Sequence, residues 1–263
     1  MQNDVLLGDA GRMVDSRSTA AAVKGTIGRL GGGFMISREA KQLCERTGLG
    51  PRELYFRGRC GVLGEVDADV VTSAAVFFPP GHVRESWEGG RKLAVEEAVE
   101  LYTAACHAWG RRKLGAVEGC VRIADLLEKV AGGASVLGAP LFAGWRAVPL
   151  PDDRVARATQ LMHVVRELRG GVHAIAILSK GLDALTAALA TDHEGTPIGL
   201  SSGRDMARFF TWPEPYPAIS EETAARRREA EDLTDELMAP AFAVLTDAER
   251  DELVTLMRLG HVH

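Results

Sequence analysis

The densest group of reactive side chains in this sequence lies between residues 152 and 190, which is also the longest segment with a helical pattern. At about 100° per residue, one side of a continuous helix carries His163, Arg166, Glu167, Gly170 and His173. The opposite side is apolar and consists of Leu161, Val165, Leu168, Val172 and Ile175. Because a helix with one apolar stripe usually turns its polar side to water, a solvated face with ion pairs is one interpretation of this pattern.

The other interpretation is a functional site, and it depends on a pair of glycines. Gly170 and Gly171 each cost about 1 kcal/mol relative to alanine inside a helix, so they indicate either a break or the close approach of another backbone. Beyond them the polar side becomes apolar, which predicts that His173 points into the protein. A bend would aim the freed N–H groups of Gly171 and Val172 into a cavity where an anionic ligand binds.

In such a pocket each charged side chain has a chemical role. Arg166 and Arg169 would clamp a carboxylate or phosphate, since a guanidinium presents paired donors. His173 would be the general acid or base, because its unshifted pKa lies near working pH. Glu167 would orient His173, but only across a bend, since the two are too far apart along a straight helix. A core histidine beside surface ion pairs is the alternative.

Metal or haem binding by the same residues is a second hypothesis. His163 and Glu167 are spaced as two ligands on one helix face, and His173 would join them. A neutral histidine also serves as an axial haem ligand. No HExxH or CxxCH motif is present, so the sequence predicts no metal site and identifies no cofactor.

A third group of candidate residues lies in the N-terminal half. Tyr55 and Arg59 are four residues apart on a predicted helix and would line the mouth of a pocket. The turn that includes Phe77 and Phe78 places His82 at the end of an element, where ligand-contacting residues concentrate. An aromatic core with surface arginines is the alternative here.

Composition and charge exclude some function classes. The formal net charge of −5 argues against a broad nucleic-acid footprint. The four cysteines form no CxxC pair, the N-terminus lacks the pattern of an export signal, and no apolar run approaches the length of a membrane span. We therefore expect a cytoplasmic protein with reduced, mostly buried thiols and no membrane partner.

The elements that must position these residues are predicted to be helices, so the fold class is mainly α, a multi-helix bundle. Residues 1–36 are predicted to be an N-terminal arm with a glycine hinge at 31–33. Residues 37–190 form the helical body with the candidate pocket, and residues 191–263 form a C-terminal helical unit. Within the body, residues 132–150 are predicted to be a loop rich in glycine and proline.

Local signals predict where several helices begin and end. Ser37 is an N-cap and Gly48 a C-cap, and Pro51 suits the first position of the next helix. Ser220 caps a charged helix. Thr246 with the glutamate three residues later forms a capping box for the last helix.

Several short motifs resemble an actinobacterial family of all-helical proteins labelled helix-turn-helix. The resemblance implies a MarR-like winged-helix unit near the C-terminus, degenerate in this chain. Leu168 stands where the family has its first motif histidine, and Gly171 stands where it has an aspartate. The matching motifs are Tyr55-Phe56-Arg57-Gly58-Arg59, Leu63-Gly64, Phe77-Phe78-Pro79, Leu168-Arg169-Gly170-Gly171-Val172-His173, Gly181-Leu182 and Thr234-Asp235.

This chain departs from the family between residues 191 and 220, which puts DNA binding in doubt. Three prolines lie within 213–217, and residues 204–208 leave room for at most two turns of a recognition helix. We therefore predict a helical protein that binds a small organic, anionic molecule, as a biosynthetic or metabolic enzyme using histidine acid–base chemistry with an arginine clamp. The alternatives are a ligand-responsive MarR-like transcription regulator, which would be a homodimer, and a non-catalytic binding partner.

Overall fold

The computed structural model describes residues 15–115, 119–191, 200 and 202–259. This part of the chain is mainly α-helical, as the sequence predicts, and it contains no strand. The helices are α1 (Ser16–Gly32), α2 (Arg38–Thr47), α3 (Pro51–Cys60), α4 (Ala68–Ala75), α5 (Pro80–Gly89), α6 (Val95–Leu114), α7 (Cys120–Gly133), α8 (Pro140–Ala147), α9 (Arg154–Ser179), α10 (Ala184–Leu189), α11 (Gly203–Phe209), α12 (Glu221–Phe242) and α13 (Asp247–Leu259).

Helix α9 is the centre of the fold. It packs against α1, α6, α7, α8 and α12, so its first half is enclosed by other helices. Gln160, His163 and Glu167 are buried as completely as the apolar residues beside them. The polar side of α9 is therefore not a solvated face, and its charged groups need partners within the protein.

The capping signals correctly locate helix boundaries. The Ser37 hydroxyl accepts hydrogen bonds from the amides of Glu39 and Ala40 at the start of α2, and Gly48 ends that helix with a left-handed conformation. Pro51 is the first residue of α3, and Ser220 caps α12. At α13, the Glu249 amide donates to Thr246 Oγ1 at 3.3 Å and the Thr246 amide donates to Glu249 Oε2 at 3.1 Å, so both hydrogen bonds of the predicted capping box are present.

The described part of the predicted N-terminal arm packs into the core. Helix α1 lies against α9, α12 and α13. A Cβ on Gly31 would lie 2.5 Å from the Met162 carbonyl oxygen, and one on Gly32 would lie 2.8 Å from Arg166 Nε. These glycines are helical and permit close packing of α1 on α9, so they do not form the predicted hinge. Residues 1–14 lie outside the described part of the chain.

The predicted loop at residues 132–150 contains a helix, α8. Pro140 occupies its first position, where the missing N–H has no intrahelical partner to lose. The apolar side of α8 buries Phe142 and Trp145, and the Trp145 indole donates to the Arg59 carbonyl at 2.9 Å. The single aromatics that the sequence placed in a loop are therefore the buried face of a short helix.

The four cysteines carry free thiols, and most of them lie in the core, as the sequence predicts. Cys44, Cys60, Cys106 and Cys120 are free, and all but Cys44 are buried. Burial raises the pKa of the Cys60 thiol to about 12, so this group is unreactive. Among the helices of the described residues, none has both the length and the apolar character needed to cross a membrane.

Candidate functional site

Helix α9 continues without interruption through Gly170 and Gly171, so the predicted bend is wrong. A Cβ on Gly171 would lie 2.6 Å from Ala139 Cβ and 3.0 Å from the Gly138 carbonyl oxygen. The second explanation that the sequence offered, a close backbone approach, therefore accounts for Gly171. Gly170 differs from it, because no described atom outside the neighbouring backbone lies within 4 Å of a Cβ built there. The space beside Gly170 is open.

One group of charged side chains, here called the Glu167 cluster, surrounds the Glu167 carboxylate. Arg59 donates to both carboxylate oxygens, at 3.0 and 2.7 Å, and to the Tyr55 hydroxyl at 3.0 Å. Arg166 Nη1 donates to Glu167 Oε1 at 2.6 Å. Burial by itself would raise the pKa of Glu167, but the charges of Arg59 and Arg166 outweigh it and hold this pKa at about 2.

His163 completes the Glu167 cluster as a neutral core histidine. Its Nδ1 lies 3.2 Å from the Gly31 carbonyl oxygen, to which it donates, and its Nε2 is buried without a partner. The ring packs edge-on against Trp145 and Phe34. Burial lowers the pKa of His163 to about 3, so the imidazole is uncharged at neutral pH.

The metal hypothesis finds no support in this arrangement. Within the described residues, no group of three or more His, Cys, Asp or Glu side chains is placed to hold a metal ion. Both oxygens of Glu167 are occupied by arginine donors, and His173 lies in a different cluster from His163.

A second group, here called the His173 cluster, lies where α9 meets α12. The Thr234 hydroxyl donates to the Ala230 carbonyl at 2.7 Å, so it must accept the 2.8 Å hydrogen bond from His173 Nδ1. This pattern fixes the tautomer, with the proton on Nδ1 and a lone pair on Nε2. Burial, followed by the charges of Arg227 and Arg169, lowers the pKa of His173 to about 3. His173 is buried, as expected, and neutral.

The predicted clamp residue Arg169 binds a carboxylate of the protein. It pairs with Glu231, which Arg227 Nη1 also approaches at 3.1 Å. Lys24 of α1 lies 3.1 Å from the same carboxylate and 2.7 Å from Asp235. Burial would raise the pKa of Glu231, but these cations, Arg169 first, hold it well below its usual range. Arg169 therefore ties α9 to α12.

Glu167 and His173 do not meet, which corrects the prediction that the carboxylate orients the imidazole. Six residues of continuous helix separate the two by about 9 Å along the axis and about 120° around it. Glu167 faces α3, whereas His173 faces α12. The predicted residues therefore fall into two clusters, with Tyr55, Arg59 and Arg166 in one and Arg169 in the other.

A row of aromatic rings connects the two clusters. Its consecutive centroid distances are 5.4 Å from Tyr55 to Phe78, 4.9 Å from Phe78 to Phe210, 5.6 Å from Phe210 to Phe77, and 5.8 Å from Phe77 to His173. The predicted residue His82 belongs to neither cluster, and its ring stacks on Phe78. Sequence reasoning assigned no role to Phe210 or Thr234, although Thr234 belongs to one of the motifs that carry the family resemblance.

Two strained backbone positions flank this aromatic row. Val76 has φ 58° and ψ −58°, and the Phe77 amide donates to the Ala75 carbonyl at 2.7 Å, which makes a γ-turn with positive φ. Thr211, directly after Phe210, has φ 67°. Non-glycine residues with positive φ are costly, and they concentrate at functional sites. The strain supports a functional role for the region around Phe77 and Phe210.

Two open surface grooves lie away from these clusters. One, of about 590 Å³, runs between α2 and α6, and the other, of about 610 Å³, runs between α6 and α8. None of the predicted site residues lines either groove.

Comparison with families of known proteins gives a match over most of the chain. A sequence model described as a helix-turn-helix family matches residues 20–259. No curated protein and no solved structure matches the chain.

Proposed function

The chain belongs to this helix-turn-helix family, and we propose that it binds a small organic anion in the open space beside Gly170. One observation carries the proposal. Arg166 brings a second guanidinium to the Glu167 carboxylate, whose single charge Arg59 already neutralises. The cluster therefore holds one more cation than carboxylate, since His163 is uncharged.

The exposure of these groups indicates where the excess charge is available. The Glu167 and Arg59 side chains are 1% and 8% exposed, whereas the Arg166 side chain is 29% exposed. Arg59 and Glu167 thus form a closed pair, whereas Arg166, one helical turn before Gly170 on α9, remains partly exposed. A carboxylate or phosphate there would make charge-assisted hydrogen bonds to Arg166 while leaving the buried pair intact.

The length of the site fits a small organic molecule. Arg166, Gly170 and His173 lie within about 60° around α9 and span about 10 Å along it. At one end Arg166 would bind the anionic group. At the other end the Nε2 lone pair of His173 would accept a hydrogen bond from a ligand hydroxyl or N–H group. The rings of Tyr55 and Phe77, which contact the two clusters, suit the apolar body of such a ligand.

Binding is the part of the predicted function that the geometry supports best. A histidine whose pKa is about 3 is uncharged at neutral pH, so it is not a general acid there, and as a base it is weak. Glu167 does not raise the pKa of His173, because its carboxylate pairs with Arg59 on another side of the helix. We therefore propose that His173 recognises the ligand, and its acid–base role remains a prediction.

Replacement of Arg166 tests the proposal. A panel of organic acids is screened for thermal stabilisation of the full chain, and the acid that stabilises most is titrated by calorimetry. Because a hydrogen bond to a charged group contributes about 1.5–3 kcal/mol, Arg166→Gln should weaken binding about 10- to 100-fold. Arg154→Gln on the same helix is the matched control, since Arg154 pairs with Asp125 at the surface. Equal affinities of both variants and the natural protein would refute the site, as would a panel without any stabilising acid.

A second candidate function, transcription regulation through DNA binding, is favoured by the family match. Against it, α11 has seven residues, and its two exposed arginines are engaged within the protein. Arg204 lies over the Tyr216 ring, and Arg208 pairs with Glu214 at 2.9 Å. We expect no specific gel shift at physiological salt. Tight, specific binding that weakens steeply with added salt would make regulation the better proposal.

A further inference from the structure

Arg52, near the start of α3, is a half-buried cation that pairs with no carboxylate of the described residues. Its Nη2 donates to the Phe209 carbonyl oxygen, and its guanidinium lies 5.4 Å from the centre of the Phe78 ring and 4.9 Å from that of Phe209. Burial lowers the pKa of Arg52, as expected for a cation without a nearby counter-ion.

The other inward-facing arginines of α3 show that this arrangement is unusual for the helix. Arg57 donates to both carboxylate oxygens of Glu65, at 3.1 and 2.7 Å. Arg59 binds Glu167 in the same two-pronged manner. A guanidinium withdrawn from water generally has such a partner, because the unpaired charge is expensive to bury. Instead of a carboxylate, Arg52 contacts a backbone carbonyl oxygen and two aromatic rings.

His82, in the first turn of α5, has a polar atom that also lacks a partner. Its Nε2 is buried without a hydrogen bond. The imidazole stacks on Phe78 with 6.4 Å between centroids, so His82 and Arg52 contact the same aromatic ring. Burial, followed by the charge of Arg52, lowers the pKa of His82, which keeps the imidazole neutral. In the tautomer with the proton on Nε2, this nitrogen is a free donor.

We propose that Arg52 and His82 form a second anion site, separate from the space beside Gly170, which binds the carboxylate of an aromatic or other apolar acid. One guanidinium and one neutral imidazole match a single negative charge, which a carboxylate carries. Phosphate at neutral pH carries more charge than this pair can balance. The rings of Phe56, Phe78 and Phe209, which surround the two polar groups, favour a ligand with an apolar body.

Histidine-selective NMR of the full chain tests this site with benzoate and inorganic phosphate as probes. Benzoate should shift the His82 ring signals in a saturable manner, and phosphate should bind at least tenfold more weakly. Arg52→Gln should weaken benzoate binding at least tenfold. Arg84→Gln is the control, because Arg84 is an exposed arginine of α5 that pairs with Asp69, and it should leave binding unchanged.

Three outcomes would overturn the proposal: His82 signals that benzoate does not move, equal shifts in the Arg52→Gln variant, or tighter binding of phosphate than of benzoate. If Arg52→Gln does not fold, His82→Phe replaces it, and calorimetry with benzoate should then show the same loss of affinity. The His173 signals in the same spectra report on the space beside Gly170. The two sites can therefore fail independently, since each has its own histidine as a probe.

Discussion

Glu167 and His173 share helix α9, yet the carboxylate is held by Arg59 of α3 and the imidazole by Thr234 of α12. One helix thus carries two polar clusters into the core and fastens them to opposite parts of the chain. The open space beside Gly170 lies between the two clusters along α9. Any ligand bound there would contact groups whose positions depend on both clusters.

The pair of Glu167 and Arg59 should be essential for stability. Glu167→Ala leaves a buried guanidinium without its counter-ion and should lower the free energy of unfolding by about 3–5 kcal/mol. Asp125→Ala, which breaks the exposed pair with Arg154, should cost no more than about 1 kcal/mol. Urea denaturation of both variants measures the difference. A loss below about 1 kcal/mol for Glu167→Ala would show that the core does not depend on this ion pair.

Stability should rise with pH between about 3 and 6.5 because of the buried histidines. His163 and His173 have pKa values lowered from 6.5 to about 3 in the folded state. In this window the unfolded chain therefore binds more protons than the folded chain, and stability falls as pH falls. Each histidine contributes a slope of up to about 1.4 kcal/mol per pH unit.

Replacing His173 by asparagine isolates one of these contributions. Urea denaturation at a series of pH values should show a slope smaller by about one proton in this variant. His163 continues to titrate and serves as the internal reference. An unchanged slope would mean that His173 is protonated in the folded protein, contrary to its burial beside Arg227 and Arg169.

The two glycines of α9 should respond oppositely to alanine. Gly171→Ala forces a methyl group against Ala139 and should destabilise the protein by about 1–3 kcal/mol. Gly170→Ala meets open space and should stabilise the helix by up to about 1 kcal/mol. The same change should weaken binding of the proposed ligand, because the new methyl group occupies the space that the ligand would fill. Thermal melts and calorimetry measure the two effects, and equal destabilisation by both changes would rule out open space at Gly170.

The strained γ-turn gives a prediction about Val76. Val76→Gly removes a half-buried side chain but relieves a conformation with positive φ. The free energy of unfolding of this variant should therefore lie within about 1 kcal/mol of that of the natural protein. Val71→Gly, in the buried face of α4, has no strain to relieve and should cost about 3 kcal/mol. Urea denaturation compares the two. Similar losses would show that the turn is not strained.

The sequence by itself determined most of the local structure. Ser37, Gly48, Pro51 and Ser220 located helix ends correctly, because a cap bonds to amides only a few residues away and its signal is therefore local. The mainly α class followed from helical periodicity in the same way. The helix α8 was missed because glycine and proline at its borders indicated a loop, while burial of Trp145 depends on distant partners.

For the candidate site, the sequence found the members and the tertiary structure decided their relationships. Spacing placed Arg166, Glu167 and His173 near one another on α9, and it left two explanations open for the glycines. Arg59 lies 108 residues from Glu167, and Thr234 lies 61 residues from His173. Burial and counter-ions depend on such non-local contacts, so only the packing of α1, α3 and α12 around α9 could separate one predicted constellation into two.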